Sequence, residues 1–195
     1  MLRLLLRFEE PTRGSIWYDD EELSSLDLQS VRKQLGVVMQ DSDVPASTIG
    51  EIIAGNYPLP IETIWYAAVM ADLDLDIEDM PMKMDTLMNH GAPTLSGGQR
   101  QRLKIARAIA ARRRILLFDE STSALDNVSQ RIVAENLGTY QITRIVVAHR
   151  LSTIRDADWI YTLDKGEIVQ QGTFASLYET EGLFRRMAKQ QLLQR

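Results

Sequence analysis

Two neighbouring segments constrain the fold of this chain more than any other part of it. The first is the pentapeptide Leu95-Ser96-Gly97-Gly98-Gln99, which joins a serine hydroxyl and two glycines to a predicted helix. The second is the apolar run Ile115-Leu116-Leu117-Phe118, which ends in Asp119-Glu120. Glycines let the backbone approach a ligand, and the free N–H groups and dipole of a helix start favour anions. Together the segments predict phosphate chemistry beside a buried strand.

Short β-type runs alternate with helical stretches along the chain, a pattern that favours an α/β fold. The predicted strands are residues 15–18, 37–39, 115–118, 145–148, 159–163 and 167–170. The apolar runs at 115–118 and 145–148 lack polar alternation, which is typical of parallel strands covered on both faces. The turn Asp164-Lys165-Gly166 instead predicts an exposed hairpin. The expected sheet is therefore mixed.

The middle of the chain has a different character. Strand signals vanish between Asp41 and about Arg113, where residues 61–73 and 99–111 have helical periodicity. Residues 182–194 predict a closing amphipathic helix. We therefore expect a sheet domain formed by residues 1–40 and 114–195, with a helical subdomain of residues 41–113 inserted into it.

Composition excludes several classes of protein. A chain of 195 residues that is 45% hydrophobic can bury a real core, so it is not a disordered tail. Its net charge of −5 argues against nucleic acid as a partner. The absence of cysteine excludes disulfides and thiolate metal sites. No apolar run approaches the roughly 18 residues that span a bilayer, so any membrane contact is expected through a partner.

Polar residues follow three of the predicted strands. Gln40 follows residues 37–39, Asp119-Glu120 follow residues 115–118, and His149 follows residues 145–148. Open α/β sheets bind ligands at the carboxyl ends of their strands, so we expect these groups to converge on one crevice. Taken singly, a carboxylate here is more often a capping or solvated group, and His149 a hydrogen-bonded core histidine. Their joint order along the chain favours a site.

These motifs resemble those of the ATP-binding cassette (ABC) ATPases over essentially the whole chain. Leu95-Ser96-Gly97-Gly98-Gln99 resembles the signature motif, and residues 115–120 resemble the Walker B segment with its catalytic glutamate. Gln40 resembles the Q-loop glutamine and His149 the H-loop histidine. Ser123-Ala124-Leu125-Asp126 resembles the D-loop. The resemblance implies a P-loop NTPase-like core that binds ATP and Mg²⁺.

The resemblance also implies a role for each residue. Asp119 and Gln40 would supply oxygen ligands to Mg²⁺, which prefers oxygen and usually keeps several waters. Glu120 would orient or deprotonate the attacking water, and His149 would donate a hydrogen bond to the γ-phosphate. Ser96, Gly97, Gly98 and Gln99 would clamp ATP held on a second nucleotide-binding domain. Asp126 would lie along the interface between the two domains.

The loop Gly-x-x-x-x-Gly-Lys-Ser/Thr, which wraps nucleotide phosphates in this family, does not occur in the sequence. The chain opens on Met1-Leu2-Arg3-Leu4-Leu5-Leu6-Arg7-Phe8, an amphipathic run without a capping residue. In the family such a helix follows that loop. We therefore expect an N-terminally truncated domain, and little ATPase activity from residues 1–195 alone.

The motifs are most similar to those of exporters. His149-Arg150-Leu151-Ser152-Thr153-Ile154 resembles their H-loop. Residues 80–86 and Leu125-Asp126-Asn127 are similar to bacteriocin-secretion transporters of the NHLM type. The resemblance implies a motor domain on the cytoplasmic face of the plasma membrane, attached through the transmembrane domain of an exporter and paired with a second nucleotide-binding domain.

Two alternatives remain open at this point. One is an inactive truncated product that acts only by pairing with intact subunits, an idea that rests on the missing loop. The other is a DNA-repair or chromosome-structuring ABC ATPase, which the acidic balance and the exporter-like H-loop disfavour. No long heptad arm of the kind found in those proteins occurs in the chain.

Overall fold

A computed structural model describes residues 1–39, 43–55, 57–88, 95–119, 125–148 and 150–193. Its helices are α1 (Leu2–Leu5), α2 (Leu28–Lys33), α3 (Ile49–Ala54), α4 (Ile61–Met70), α5 (Asp74–Glu78), α6 (Gly97–Ala110), α7 (Asn127–Gly138), α8 (Leu151–Ile154), α9 (Phe174–Glu179) and α10 (Leu183–Leu193). Its strands are β1 (Trp17–Tyr18), β2 (Glu21–Glu22), β3 (Leu35–Val38), β4 (Ser47–Thr48), β5 (Leu87–Met88), β6 (Ile115–Asp119), β7 (Thr143–Val147), β8 (Ile160–Asp164) and β9 (Glu167–Gly172). Single turns of 3-10 helix lie at Leu23–Ser25 and Lys83–Asp85.

The α/β fold class predicted from the sequence is confirmed. Each predicted strand overlaps an observed one, and the three predicted helices correspond to α4, α6 and α10. The prediction missed β2, β4 and β5, each of which is two residues long. Strands β4 and β5 pair with each other in antiparallel register. Strands this short carry no hydrophobic alternation for a sequence pattern to detect.

Strands β3, β6 and β7 form one sheet in that order. The β3–β6 pair is parallel, with Leu35 opposite Ile115 and Val38 opposite Phe118. The described antiparallel pairs belong to separate two-stranded sheets, β1–β2, β4–β5 and β8–β9. In the β8–β9 hairpin the turn residues Lys165 and Gly166 have φ of +51° and +85°, as the predicted tight turn requires.

The chain divides into two compact units, Met1–Ile145 and Val146–Arg195. In the first unit, α6 packs against α3, α4 and β3. Its buried residues include Leu103, Ile105, Ala106 and Ile109, and the neighbouring β6 buries Leu116 and Leu117 completely. The expected boundaries of sheet domain and helical subdomain stay a prediction.

Helix α6 lies unusually close to the sheet at Gly36 in β3. A methyl group on Gly36 would clash with the backbone carbonyl oxygen of Ala108 and with the side chain of Leu116. The residue of α6 at this point of closest approach is Ala108. The helix is therefore held against the sheet by its C-terminal half.

The second unit has its own small core. Ile160 of β8, Leu177 of α9 and Phe184 and Ala188 of α10 are buried together. Phe184 meets Phe174 edge-on, with ring centroids 5.5 Å apart. The amide of Phe184 donates a hydrogen bond of 2.9 Å to Oε1 of Gln170, so a β9 side chain holds the start of α10.

Acidic residues cap two helices of the first unit in the same way. Asp27 accepts a hydrogen bond from the amide of Ser30 at the start of α2. At the start of α7, Asp126 accepts hydrogen bonds from the amides of Val128 (2.9 Å) and Ser129 (3.0 Å). The bonds from Ser129 and Val128 hold the pKa of Asp126 below its usual value of 3.8.

Within the described residues no helix combines the length and the apolar composition that crossing a bilayer requires.

We predict that Gly36→Ala lowers the free energy of unfolding by about 1–3 kcal/mol, because overpacking forces α6 away from β3. Urea unfolding of the purified chain measures this effect. Gly138→Ala is the matched control, since a methyl group there meets no atom within 4 Å. Equal midpoints for the two variants would show that α6 accommodates the methyl group.

A second prediction concerns pH. The folded pKa of Asp126 is lowered, so the unfolded state binds more protons and the ionised cap contributes stability above the usual pKa. That contribution is lost as pH falls through the folded pKa. The stability difference between the parent chain and Asp126→Asn should therefore shrink as urea unfolding is repeated from about pH 7 to about pH 3. The difference for Gly138→Ala should stay constant, and a constant difference for Asp126→Asn would contradict the prediction.

Candidate functional site

The start of helix α6 carries the pentapeptide singled out in the sequence. Ser96 is the N-cap residue: its Oγ accepts a hydrogen bond of 3.1 Å from the amide of Gln99. In return, Oε1 of Gln99 accepts one of 2.9 Å from the amide of Ser96. This reciprocal capping box explains why the helix begins at Gly97, two residues before the predicted start at Gln99. Gly97 and Gly98 thus lie in the first helical turn.

The first turn of α6 is open to solvent. Ser96 and Gly97 are exposed, and a methyl group on Gly97 would meet no atom within 4 Å. The capping box satisfies the amide of Gln99, and within the described chain the amides of Gly97 and Gly98 have no partner. Free amides at the positive end of a helix of 14 residues favour an anion.

Below the capping box, α6 joins a polar network that the sequence did not predict. Nε2 of Gln99 donates a hydrogen bond of 2.6 Å to Oδ1 of Asp76 in α5. Arg102, one turn further along α6, donates through Nη2 to Oδ2 of the same carboxylate at 2.7 Å. Its Nη1 lies 3.0 Å from Oδ2 of Asp72. The carboxylate of Asp76 therefore accepts hydrogen bonds from both Gln99 and Arg102.

Asp72 reaches Arg102 through an unusual backbone conformation. It follows the C-terminal end of α4 with φ of +56°, a region that aspartate tolerates better than most residues. The side chain of Arg102 is 14% exposed, and those of Asp72 and Asp76 are each 25% exposed. The ion pairs are therefore partly shielded from water, which strengthens each hydrogen bond.

The network continues into α7. Nη1 of Arg102 also donates a hydrogen bond of 2.8 Å to Oγ of Ser129, which is buried. The amide of Ser129 in turn donates to Asp126, the exposed N-cap residue. Two candidate segments from the sequence, the pentapeptide at 95–99 and Asp126, are thus joined by one set of hydrogen bonds.

Asp119 ends β6 and is half-buried. Because β3 and β6 are parallel and Val38 lies opposite Phe118, the two strands end at the same edge of the sheet. The predicted partners Gln40, Glu120 and His149 lie outside the described residues, as do Ser123 and Ala124. Among the residues that are described, no group of three or more His, Cys, Asp or Glu side chains is placed to hold a metal ion.

Sequence reasoning missed Arg102, Asp72 and Asp76. Other arginines of the same helix, Arg100 and Arg107, are exposed, whereas Arg102 is half-buried. The available signal was that Arg102 follows Gln99 by three residues, a spacing that places both side chains on one face. Nothing in the sequence indicates that this face meets the acidic pair at 72 and 76.

Comparisons with known proteins bear on this site. The family model described as ABC transporter matches residues 1–123. The leukotoxin translocation ATP-binding protein LktB of Mannheimia haemolytica is 39% identical over 196 residues, covering 98% of this chain and 28% of that protein. The protein of the same name from Bibersteinia trehalosi matches to the same extent.

Among solved structures, a bacterial Atm1-family ABC exporter with ATP bound matches with a TM-score of 0.93 and 37% sequence identity. The match covers 97% of this chain and 34% of that one. The chain thus spans about a third or less of the length of the relatives that it matches. Since the family model matches residues 1–123 and the relatives cover 97–98% of the chain at 37–39% identity, this chain belongs to the ATP-binding domains of the ABC transporter family.

Proposed function

We propose that this chain is the ATP-hydrolysing motor domain of an exporter, and that α6 presents its first turn to ATP bound on a second nucleotide-binding domain. The observation that carries the proposal is the exposed start of α6, where Ser96 is the N-cap residue and Gly97 is open to solvent. In a family of ATPases, an exposed helix start of this kind is suited to a phosphate that another domain presents to it.

The residues at this end fit a phosphate group. The amides of Gly97 and Gly98 are suited to donate to phosphate oxygens, and the missing side chains allow the backbone to approach. The hydroxyl of Ser96 accepts from Gln99, so its own proton is available to a further acceptor. These groups would bind ATP and position it, and ATP supplies the phosphoryl bond that is broken.

The strand edge at Asp119 is the proposed hydrolytic side of the site. Asp119 and Gln40 would act as oxygen ligands of Mg²⁺, which when bound neutralises charge on the phosphates. Glu120 would accept the proton of the attacking water, and His149 would donate a hydrogen bond to the γ-phosphate. Asp126 would lie at the interface with the second domain, close to the signature residues.

We further propose that the cargo is a peptide or protein, as in bacteriocin-secretion transporters of the NHLM type. Two observations support this: the similarity of residues 80–86 and 125–127 to those transporters, and the relative described as a leukotoxin translocation protein. The proposed location is the cytoplasmic face of the plasma membrane, through the transmembrane domain of the exporter. The expectation that nucleic acid is not a partner rests on the net charge of −5.

The test uses residues 1–195 joined behind a segment that carries Gly-x-x-x-x-Gly-Lys-Ser/Thr, so that ATP can bind. Glu120→Gln should trap an ATP-dependent dimer, because glutamine keeps the shape of Glu120 but cannot take the proton. Adding Ser96→Arg should abolish that dimer, because the larger side chain fills the open end of α6. Size-exclusion chromatography with and without ATP measures both results.

The matched control is Ser24→Arg in the same Glu120→Gln background, since Ser24 is an exposed serine of the first unit distant in sequence from the candidate site. It should leave ATP-driven dimerisation unchanged. The variant that carries Ser96→Arg should still bind fluorescent ATP, but as a monomer. A Ser96→Arg protein that dimerises as well as its control would refute the role of α6 as a clamp across the interface.

A further inference from the structure

We propose that Arg102 is a positioning residue that couples the signature end of α6 to the Asp126 end of α7, so that these two ends move as one unit. The inference rests on the proposed function in one respect, namely that both ends face a second nucleotide-binding domain. The coupling itself follows from the hydrogen bonds around Arg102.

Those bonds form an unbroken path between the two helix starts. The amide of Ser96 is bonded to Gln99, and Gln99 and Arg102 both donate to the carboxylate of Asp76. Arg102 then donates to Ser129, whose amide donates to Asp126. Every bond in the path lies between 2.6 and 3.0 Å.

The chemistry of arginine suits this role. Its guanidinium group is planar, so the directions of its N–H bonds are fixed relative to one another. Nη1 donates hydrogen bonds to Asp72 and Ser129, and Nη2 donates one to Asp76. One rigid group therefore contacts α5, α7 and the turn after α4. A shift of α7 relative to α5 would therefore strain bonds that also hold Gln99.

Removing the hydroxyl of Ser129 interrupts this path of hydrogen bonds with the least disturbance to the rest of the network. Its hydroxyl is the atom through which Arg102 contacts α7 in the hydrogen bonds of the described residues, and alanine favours a helix. Ser129→Ala leaves the ion pairs of Arg102 with Asp72 and Asp76 in place. Any effect of Ser129→Ala on α6 therefore reports the loss of the hydrogen bond between Arg102 and Ser129, and not the loss of a charge.

The chain offers a closely matched control. Ser30 occupies the same position in α2 that Ser129 occupies in α7: each is the third helical residue after an aspartate N-cap and donates its amide to that aspartate. No hydrogen bond of the described residues joins Ser30 to an arginine. Ser30→Ala thus reproduces the local change without cutting the path.

The experiment is amide hydrogen exchange of the nucleotide-free chain, residues 1–195. Ser129→Ala should speed exchange at the amide of Gln99, across the path, by about fivefold or more, the lower end of typical coupling between sites. Ser30→Ala should leave Gln99 unchanged. In an Arg102→Lys background, where the side chain can no longer reach all its partners, Ser129→Ala should have no additional effect at Gln99.

Two results would overturn the coupling. One is unchanged exchange at Gln99 in Ser129→Ala, and the other is an equal acceleration at all amides of the first unit, which would indicate general loss of stability. A purely structural role for Arg102 predicts the second result.

A second measurement links the coupling to function. In the chain joined to the phosphate-binding loop and carrying Glu120→Gln, Ser129→Ala should raise the ATP concentration for half-maximal dimerisation by about fivefold or more. Ser30→Ala should not. If the parent fails to dimerise with ATP, the proposed function is wrong while the exchange result still decides the coupling. If the parent dimerises and Ser129→Ala matches it, the two ends do not act together in the dimer.

Discussion

The close approach of α6 to β3 at Gly36 is the constraint on which the site depends. Because the backbone of α6 near Ala108 lies where a side chain of β3 would stand, the C-terminal half of the helix has little freedom to tilt or rotate. A helix of 14 residues is about 21 Å long and behaves as a rigid rod over that length. Anchoring one end on the sheet therefore determines where the signature end points.

Hydrophobic packing and polar bonds contribute to the position of α6 in different ways. Hydrophobic contacts are not directional, so Leu103 and Ile109 supply burial but tolerate small rotations. The ion pairs of Arg102 contribute direction, because charge-assisted hydrogen bonds need particular distances and angles. Pairs of this kind often add little net stability. Their value here lies in holding the first turn of α6 relative to α5 and α7.

The sequence predicted the parts of the fold that depend on local pattern. The strand at 115–118 and the hairpin turn at 164–166 were confirmed because apolar runs and turn residues act within a few positions of one another. The start of α6 was placed two residues late, since glycine disfavours helices and the capping box between Ser96 and Gln99 outweighs that preference. The exporter resemblance was also confirmed.

The network of Arg102 was beyond sequence reasoning for a different reason. Its partners Asp72 and Asp76 lie 30 and 26 residues earlier. Asp72 reaches Arg102 from a backbone in a left-handed conformation. A single sequence contains no signal for such a pairing. The roles of Gln40, Glu120 and His149 stay predictions, carried by motif order and family membership.

The residues that cap α6 and α7 explain why α6, and not α7, is suited to phosphate. At α7 the carboxylate of Asp126 already occupies the amides of Val128 and Ser129, so a negative charge compensates that helix end. At α6 the neutral hydroxyl of Ser96 satisfies the amide of Gln99 and leaves the positive end uncompensated, with no acidic residue in the first turn. An incoming phosphate would therefore be attracted to α6 and repelled by Asp126. Because Arg102 connects the two ends, the helix start proposed to bind phosphate is held at a set position from Asp126, which does not compete for its ligand.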